Sequence, residues 1–226
     1  MTKGCDDILA RIRACRICRD TPRGKPLPHE PRPVLQAGGG ARILIAGQAP
    51  GTRVHASGRP FTDPSGERLR AWLGVDAGQF YDPENFAVIP MGFCFPGLSP
   101  SGSDLPPRGE CAPAWRAQLM AALPEMQLVI CLGAHAMRWH MGEQFGGSVD
   151  AAVRNWRASY QLTPRVLPLP HPSWRNTGWL NRNPWFAEEL LPVLRCFVAD
   201  LVALRVAPPD SAVYTPGSSD RRKRTP

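Results

Sequence analysis

Four short apolar segments limit the possible folds of this chain more than any other feature of its sequence. Each consists mainly of aliphatic or aromatic residues and is bounded by turn-forming residues, which is typical of strands buried in a parallel sheet. They occupy residues 42–46, 86–90, 128–132 and 166–169. Helical patterns fill the intervals between them. This alternation predicts an α/β fold, a three-layer α/β/α domain with a central, mostly parallel four-stranded sheet.

Apolar residues at helical spacing and capping signals predict the elements between the strands. Ser65 stands before one such pattern and is its expected N-cap. The predicted helices are a short one within 5–18, then 67–73, 110–123, 134–141 and a long last helix over 185–204. In a parallel sheet the ligand crevice lies beyond the carboxyl ends of the strands. The segments that leave those ends are 47–61, 91–108 and 170–183, and function is expected there.

The length of 226 residues fits one domain with appendages. We assign residues 1–206 to that domain and residues 207–226, which are rich in Pro, Ser and basic residues, to a disordered basic tail. No apolar run reaches the ~18–20 residues of a membrane span, so we expect no membrane segment. The N-terminus also lacks the apolar stretch of a signal peptide. We therefore expect a cytoplasmic protein, and a monomer.

The charge balance favours an anionic partner. The chain has 27 Lys and Arg residues against 19 Asp and Glu residues, a formal net charge of +8. Nucleic acid is one such partner, although a solvated basic surface would give the same count. Without an export signal, the seven cysteines are expected to be thiols or metal ligands and not a disulfide framework.

Two glycine-containing motifs follow the first predicted strand. GQAPG occupies residues 47–51 and GRPF occupies residues 58–61. Glycine lets the backbone turn sharply and lets a ligand approach closely. An ordinary Pro-Gly turn is the simpler interpretation of GQAPG, which has neither the Walker lysine nor the spacing of a dinucleotide fingerprint. Phe61, mounted behind a proline at the same sheet edge, could serve as a stacking platform for a base.

A histidine motif follows the last predicted strand. His171 stands between two prolines, which fix the backbone on both sides of it. A lone histidine in a loop is more often structural than catalytic, but this one lies at the sheet edge that GQAPG also occupies. Aromatic, amide and basic side chains follow over residues 173–185. Such an alternation suits phosphate contacts and wedging into a base stack.

GQAPG, GRPF and the HPS triplet at 171–173, in this order, resemble the motifs of the uracil-DNA glycosylase superfamily. The pattern is most similar to the iron–sulfur-containing branch, whose first motif reads GEAPG followed by G-x-P-F. The RNP triplet at 182–184 also resembles that branch. The resemblance spans about residues 15–204. It implies a DNA-repair enzyme that flips a uracil nucleotide out of DNA and hydrolyses its N-glycosidic bond.

The resemblance also implies roles for particular residues. His171 would stabilise the uracil anion as it leaves, and Phe61 would stack on the base. Gln48 would position the attacking water, with Asp63 as an alternative base. The other predicted base-binding residues are Gly47, Ala49, Gly51, Met91, Gly92 and Asn176, and those predicted to contact DNA are Ser173, Trp174, Arg175 and Arg182.

Departures from the family pattern affect this assignment. The best-known members carry an acid in the first motif, whereas Gln48 can orient a water but cannot accept its proton at neutral pH. The iron–sulfur branch has a base-reading asparagine four residues before its third cysteine, and here that position is Pro90. Base recognition then falls to backbone groups of residues 91–93 or to Asn176. Hypoxanthine or another deaminated base stays open as the substrate.

A further departure concerns the segment after the histidine. Arg182 lies eleven positions after His171, a spacing longer than in the relatives. One of the side chains between them, Trp174, Arg175 or Trp179, could be the wedge that fills the gap left by the flipped base.

Four cysteines form a candidate ligand set. Cys15 and Cys18 make a C-x-x-C pair, which alone could be redox-active, zinc-binding or accidental. Cys94 and Cys111 lie seventeen residues apart and could be merely buried small residues. The resemblance implies that these four hold a [4Fe–4S] cluster with a structural or DNA-positioning role. The other cysteines are expected to be two core thiols, Cys131 and Cys196, and a spare, Cys5.

Two rival functions accompany the leading one of uracil-DNA glycosylase. The first keeps the reaction but changes the base. The second is a catalytically weak protein that binds damaged DNA, which would agree with a first motif that has no carboxylate. A metal-binding interaction domain is the weakest alternative.

Overall fold

The computed structural model describes residues 3–204, and the predicted tail at 207–226 lies outside the described residues. Four strands form one sheet in the order β2-β1-β3-β4, and every neighbouring pair is parallel. The predicted α/β class with a parallel four-stranded sheet is confirmed. The strands are β1 (Ile43–Ala46), β2 (Phe86–Val88), β3 (Leu128–Leu132) and β4 (Arg165–Leu169).

Helices connect the strands and follow the last one. Before β1 come α1 (Lys3–Arg13) and α2 (Ile17–Asp20), and between β1 and β2 come α3 (Thr52–Ser57), α4 (Pro64–Leu73) and α5 (Ala77–Tyr81). Between β2 and β3 lies α6 (Cys111–Ala121), and between β3 and β4 lie α7 (Ala134–Met141), α8 (Val149–Arg154) and α9 (Trp156–Ser159). After β4 come α10 (Thr177–Arg182) and α11 (Leu191–Ala203). None of the helices in this described part of the chain is long and apolar enough to cross a membrane.

The strand order explains the layers. The chain leaves β1 for β2 in one direction and then returns past β1 to β3 and β4 in the other. Because crossovers between parallel strands are right-handed, this reversal puts the helices that connect β1 to β2 and those that connect β2 to β3 and β3 to β4 on opposite faces. The terminal helices complete the two layers, since α11 packs against α4 and α1 packs against α6. All residues of β1, β2 and β3 are buried, as expected for strands covered on both faces.

The long Pro-rich segment between α2 and β1 protects the edge of the sheet. Gln36 forms an antiparallel bridge with Val88 of the edge strand, and its side-chain amide donates to the carbonyl oxygens of Phe80 and Phe86. Val34 N–H donates to Phe93 O at 2.8 Å. These bonds pair the otherwise open edge of β2.

Helix ends differ from the sequence prediction in three places. The predicted helix over 5–18 is two helices, with a break after Arg13. The helix predicted over 67–73 begins at Pro64, and its N-cap is Asp63 and not Ser65. The Asp63 carboxylate accepts from the Gly66 N–H at 3.3 Å, and proline suits the first helical position because it has no N–H to satisfy.

The last predicted helix also divides. A π-helical turn over Phe186–Leu190 precedes α11, and Pro192 lies in the first turn of α11. Since proline cannot donate the i→i−4 hydrogen bond, the regular ladder is interrupted just before it.

Candidate active site

A cavity of about 110 Å³ lies beyond the carboxyl ends of the strands, and we call it the His171 cavity. It brings GQAPG, the end of GRPF and the histidine motif to one place. Met91, Gly92 and Asn176 do not line it. The predicted site residues that do line it are Gly47, Gln48, Ala49, Gly51, Phe61, Asp63 and His171.

The GQAPG loop is tied to the loop after β2. The carbonyl oxygens of Gly47 and Gln48 accept hydrogen bonds from the N–H groups of Met91 and Gly92, each at 2.9 Å. The N–H of Phe93 donates to Cys111 Sγ at 3.4 Å. The N–H groups of residues 91–93 therefore all have partners within the protein, and those of Met91 and Gly92 fix the position of GQAPG. That backbone groups of this segment read the base stays a prediction.

Phe61 is held in an unusual backbone conformation. Its φ of 54° is the only positive φ of a non-glycine residue among residues 3–204, and such a conformation costs about 1–3 kcal/mol. Tyr81 Oη donates to the carbonyl oxygens of Pro60 and Phe61, at 3.0 and 2.9 Å. Gly66 has no side chain, and a Cβ there would collide with Phe61 O. These contacts keep the Phe61 ring on the cavity wall, where it meets Phe80 edge-on.

His171 is oriented from behind by the segment that follows it. Asn176 Nδ2 donates to His171 O at 2.7 Å, so one N–H of this amide is engaged by the backbone of the histidine motif. Burial lowers the pKa of His171, the carboxylates of Asp63 and Asp104 raise it, and Arg175 lowers it. The net shift is downward from a normal value near ~6.5, so the imidazole is neutral at pH 7. A neutral imidazole can donate one N–H into the cavity.

Two carboxylates reach this cavity. Asp63 was proposed from the sequence, and its Oδ1 accepts from Ser65 Oγ at 2.6 Å as well as from Gly66 N–H. Asp104 was missed. It lies in the Pro-rich loop that leaves β2, and it is the only acidic residue within 91–108, the segment already singled out as leaving the sheet at its carboxyl edge. Its position in that segment is the sequence feature that could have identified Asp104 as a site residue.

Pro90 lines the cavity where the family resemblance places an asparagine. Its carbonyl oxygen accepts from the buried guanidinium of Arg116 at 3.1 Å. This part of the wall therefore offers a base neither a side-chain amide nor a backbone N–H.

The segment after His171 carries the predicted DNA contacts. Ser173 O accepts from Arg68 at 2.9 Å, which anchors the segment to α4. Trp174 is 76% exposed, and Arg175 and Arg182 are exposed as well. An exposed tryptophan between anchored residues is free to meet a base stack.

Trp179, the other tryptophan considered as a wedge, is occupied. Its indole N–H donates to Asp150 at 2.6 Å, and its ring packs edge-on against Trp185 and Phe186. Asn183, of the RNP triplet, is buried and donates to Trp179 O at 2.7 Å. These residues hold the segment together, and Trp174 keeps the exposed position.

Residues 36–195 match the family model of the uracil DNA glycosylase superfamily. The chain belongs to this superfamily. The match contains the four strands, GQAPG, GRPF, Asp104 and His171. Membership assigns the protein to the DNA glycosylases, hydrolases that act on DNA in its repair. It also implies that the protein binds DNA.

The protein has a second cavity, which we call the cysteine cavity. It is lined by Cys15, Cys18, Cys94 and Cys111, so the structure brings the four predicted ligands together. Burial raises the pKa of Cys94 and of Cys111 to about 12. Trp115 Nε1–H donates to Cys15 Sγ at 3.2 Å.

The three remaining cysteines of this superfamily member lie elsewhere. Cys131 is buried in β3, as predicted. Cys196 was predicted to be a core thiol, and this is wrong, since it is exposed on α11. The unassigned Cys5 is buried in the core instead. None of the seven is in a disulfide.

Proposed function

We propose that this protein is a monofunctional uracil-DNA glycosylase. It hydrolyses the N-glycosidic bond of a flipped deoxyuridine, releases uracil and leaves an abasic site. The observation that carries the proposal is a neutral, rigidly mounted histidine facing the GQAPG loop across one cavity in a chain of this superfamily. The carboxylates on the same cavity argue against the rival of a catalytically weak binding protein.

The leaving group is stabilised by His171. As the C1′–N1 bond breaks, its electron pair passes to the uracil ring and negative charge develops on O2. The N–H of the neutral imidazole donates a hydrogen bond to that oxygen. Because the loop is fixed by Pro170, Pro172 and the Asn176 amide, the donor needs little reorganisation as the charge develops.

The base is held on its face and at its edges. Phe61 stacks on the uracil ring, and its constrained backbone keeps the ring in place before substrate binds. The N–H groups of Gln48 and Ala49 have no hydrogen-bond acceptor within residues 3–204 and lie at the cavity wall, so they are available to the carbonyl oxygens of the base. The Gln48 side chain holds the attacking water.

The DNA lies across the exposed segment after His171. Trp174 fills the gap left by the flipped nucleotide, and Arg175 and Arg182 contact phosphates. Ser173 makes a further contact with the sugar-phosphate backbone of the DNA. The formal net charge of +8 adds a general, salt-sensitive attraction.

We also propose that Cys15, Cys18, Cys94 and Cys111 hold a [4Fe–4S] cluster. The donor set fits, since four thiols from three separate segments line one small cavity and two of the sulfurs accept N–H hydrogen bonds. No three metal-binding side chains within residues 3–204 are gathered as a single ion requires. A cluster differs in that each cysteine binds a separate iron. When bound, it would supply a cross-link between α2, the loop after β2 and α6.

A second candidate substrate is another deaminated base, hypoxanthine above all. Pro90 is the observation that favours it, because the cavity wall lacks the side-chain amide that would select one pyrimidine edge. This alternative keeps the roles of His171 and Phe61.

The test is a panel of labelled duplex and single-stranded oligonucleotides that contain uracil, hypoxanthine, xanthine or a thymine mispair. We expect wild-type protein to release uracil and leave an alkali-labile site, and His171→Ala to bind the same DNA but release far less. Gln118→Ala, on the exposed face of α6, is the control and should match wild type. Tight binding by wild-type protein without any alkali-labile site would reject the enzyme. Faster release of hypoxanthine would select the second candidate.

A further inference from the structure

Asp104 is held against the His171 cavity by a small hairpin. Leu98 and Asp104 form an antiparallel bridge, and Leu105 N–H donates to Gly97 O at 3.0 Å. Ser99 N–H donates to Ser103 O at 2.8 Å inside the same turn. The hairpin fixes the backbone on both sides of Asp104. The Cα of Asp104 therefore has a defined place although the loop is rich in proline and serine.

The Asp104 carboxylate meets the end of the GQAPG loop. A Cβ built on Gly51 would lie 3.2 Å from Asp104 Oδ2, closer than ordinary contact. Glycine at this position leaves the space that the carboxylate occupies. Asp104 thus reaches the loop in which the best-known relatives carry their own acid.

The two carboxylates on the cavity differ in how much of their hydrogen-bonding capacity is used. Asp63 caps α4, and one of its oxygens accepts from both Ser65 Oγ and Gly66 N–H. The Asp104 carboxylate has no hydrogen-bond donor within the described residues 3–204. A base must have a free lone pair for the proton it accepts, and Asp104 has all of its lone pairs free.

We propose that Asp104 is the general base of the glycosylase and supplies from the loop after β2 the carboxylate that GQAPG lacks. This assignment rests on the proposed function. The water oxygen bonds to C1′ as the C1′–N1 bond breaks, and the bonding pair leaves with uracil. Asp104 accepts the water proton and later releases it to solvent, and the uracil anion takes a proton from solvent. Gln48 orients the water and Asp104 deprotonates it.

Single-turnover release of uracil from saturating oligonucleotide tests the assignment. We expect Asp104→Asn to lower the rate about 10²-fold, a usual size for losing a general base, and to bind DNA as tightly as wild type or more tightly. Asp104→Glu should recover part of the rate. Glu125→Gln removes the same charge from an exposed position just before β3, at the opposite end of the sheet, and should leave the rate unchanged.

The pH profile and Asp63→Asn separate catalysis from simple charge effects. The fall in rate at low pH that a carboxylate base imposes should disappear in Asp104→Asn. Asp63→Asn keeps an N-capping side chain and should lose at least ten times less rate than Asp104→Asn.

Two results would overturn the assignment of Asp104 while leaving the enzyme intact. They are an Asp104→Asn rate within twofold of wild type, or a larger loss in Asp63→Asn. A wild-type protein that releases no base at all would overturn the proposed function and the base together.

Discussion

The His171 cavity and the cysteine cavity share a wall and differ in chemistry. The wall is the segment just after β2, whose Pro90 faces the first cavity while Gly92, Phe93 and Cys94 face the second. The first cavity holds a histidine, two carboxylates and an amide and is open to a ligand. The second holds buried thiols of raised pKa. The His171 cavity thus has groups that can donate or accept protons near neutral pH. The thiols of the cysteine cavity keep their protons at that pH unless a metal binds them.

The two cavities differ in chemistry but are joined mechanically through the segment between them. In the shared wall, the N–H groups of Met91 and Gly92 donate to GQAPG, and the N–H of Phe93 donates to Cys111. A change in the cysteine cavity should therefore disturb both cavities. A change confined to the His171 cavity should lower the reaction rate and leave iron content and stability near wild type.

The largest expected effect is that of Cys111→Ser. Loss of a ligand should abolish iron binding and lower the free energy of unfolding by about 3–5 kcal/mol, since loss of a metal site belongs to the most damaging changes. The rate of uracil release should also fall, because the shared wall that Cys111 supports holds GQAPG in position. Iron and sulfide content, visible absorption and urea unfolding of anaerobically purified protein measure this.

Cys196→Ser is the matched control for that variant. The thiol is exposed on α11, and its replacement should leave iron content and stability as in wild type. Wild-type protein without iron or visible absorption would refute the cluster. Equal iron in Cys111→Ser and wild type would remove Cys111 from the ligand set.

The next effect is that of His171→Ala. Removing a donor to the leaving-group oxygen should lower the rate of uracil release by about 10²–10³-fold. The melting temperature and the iron content should stay near wild type, because the ring lies at a cavity and not in the core. A large loss of stability in this variant would break the separation of the two cavities.

The sequence predicts much of this arrangement because its signals are local or follow from sheet geometry. Apolar runs mark the four strands, and GQAPG and His171 meet because the carboxyl ends of parallel strands lie at one edge. The four cysteines gather around one cavity as the resemblance implied, while the cluster itself stays a prediction.

Other features depend on tertiary contacts that no local pattern encodes. Asp104 reaches the cavity only because a hairpin in a Pro-rich loop folds back onto Gly51. Asn176 Nδ2 bonds the backbone of His171, and Met91 N–H pairs with Gly47 O, so these two groups already have partners within the protein. The cap of α4 is Asp63 because the helix starts one turn earlier than its apolar pattern.

A third prediction concerns the support behind the shared wall. The buried Arg116 donates to the carbonyl oxygens of Ile89 and Pro90 and to Nε2 of His140. Burial and then the Arg116 charge lower the pKa of His140 to about 3. Unfolded, this histidine takes up a proton near pH ~6.5, whereas the folded form does not. Stability is therefore present above that pH and is lost on acidification.

The expected slope approaches about 1.4 kcal/mol per pH unit below pH 6, which gives about 1.7 kcal/mol between pH 6.5 and 5. Urea unfolding across this range measures it. His140→Gln keeps an acceptor for Arg116 without titrating, so its stability should fall less steeply than that of wild type. Parallel curves for the two proteins would show that His140 does not carry this dependence.

The smallest expected effect is that of Tyr81→Phe, and it tests most directly whether the two cavities can be changed separately, because only the His171 cavity should be affected. Tyr81→Phe removes the hydroxyl that donates to the carbonyl oxygens of Pro60 and Phe61 and leaves the ring in place. Losing a part-buried hydrogen bond costs about 1 kcal/mol, so we expect kcat/KM for uracil release to fall about five- to tenfold as Phe61 leaves its constrained conformation. Iron content should not change, since Tyr81 has no contact with the shared wall among the interactions of the described residues. Loss of iron in Tyr81→Phe would mean that the Phe61 side of the His171 cavity also supports the cysteine cavity, and the two could no longer be treated as joined at one wall.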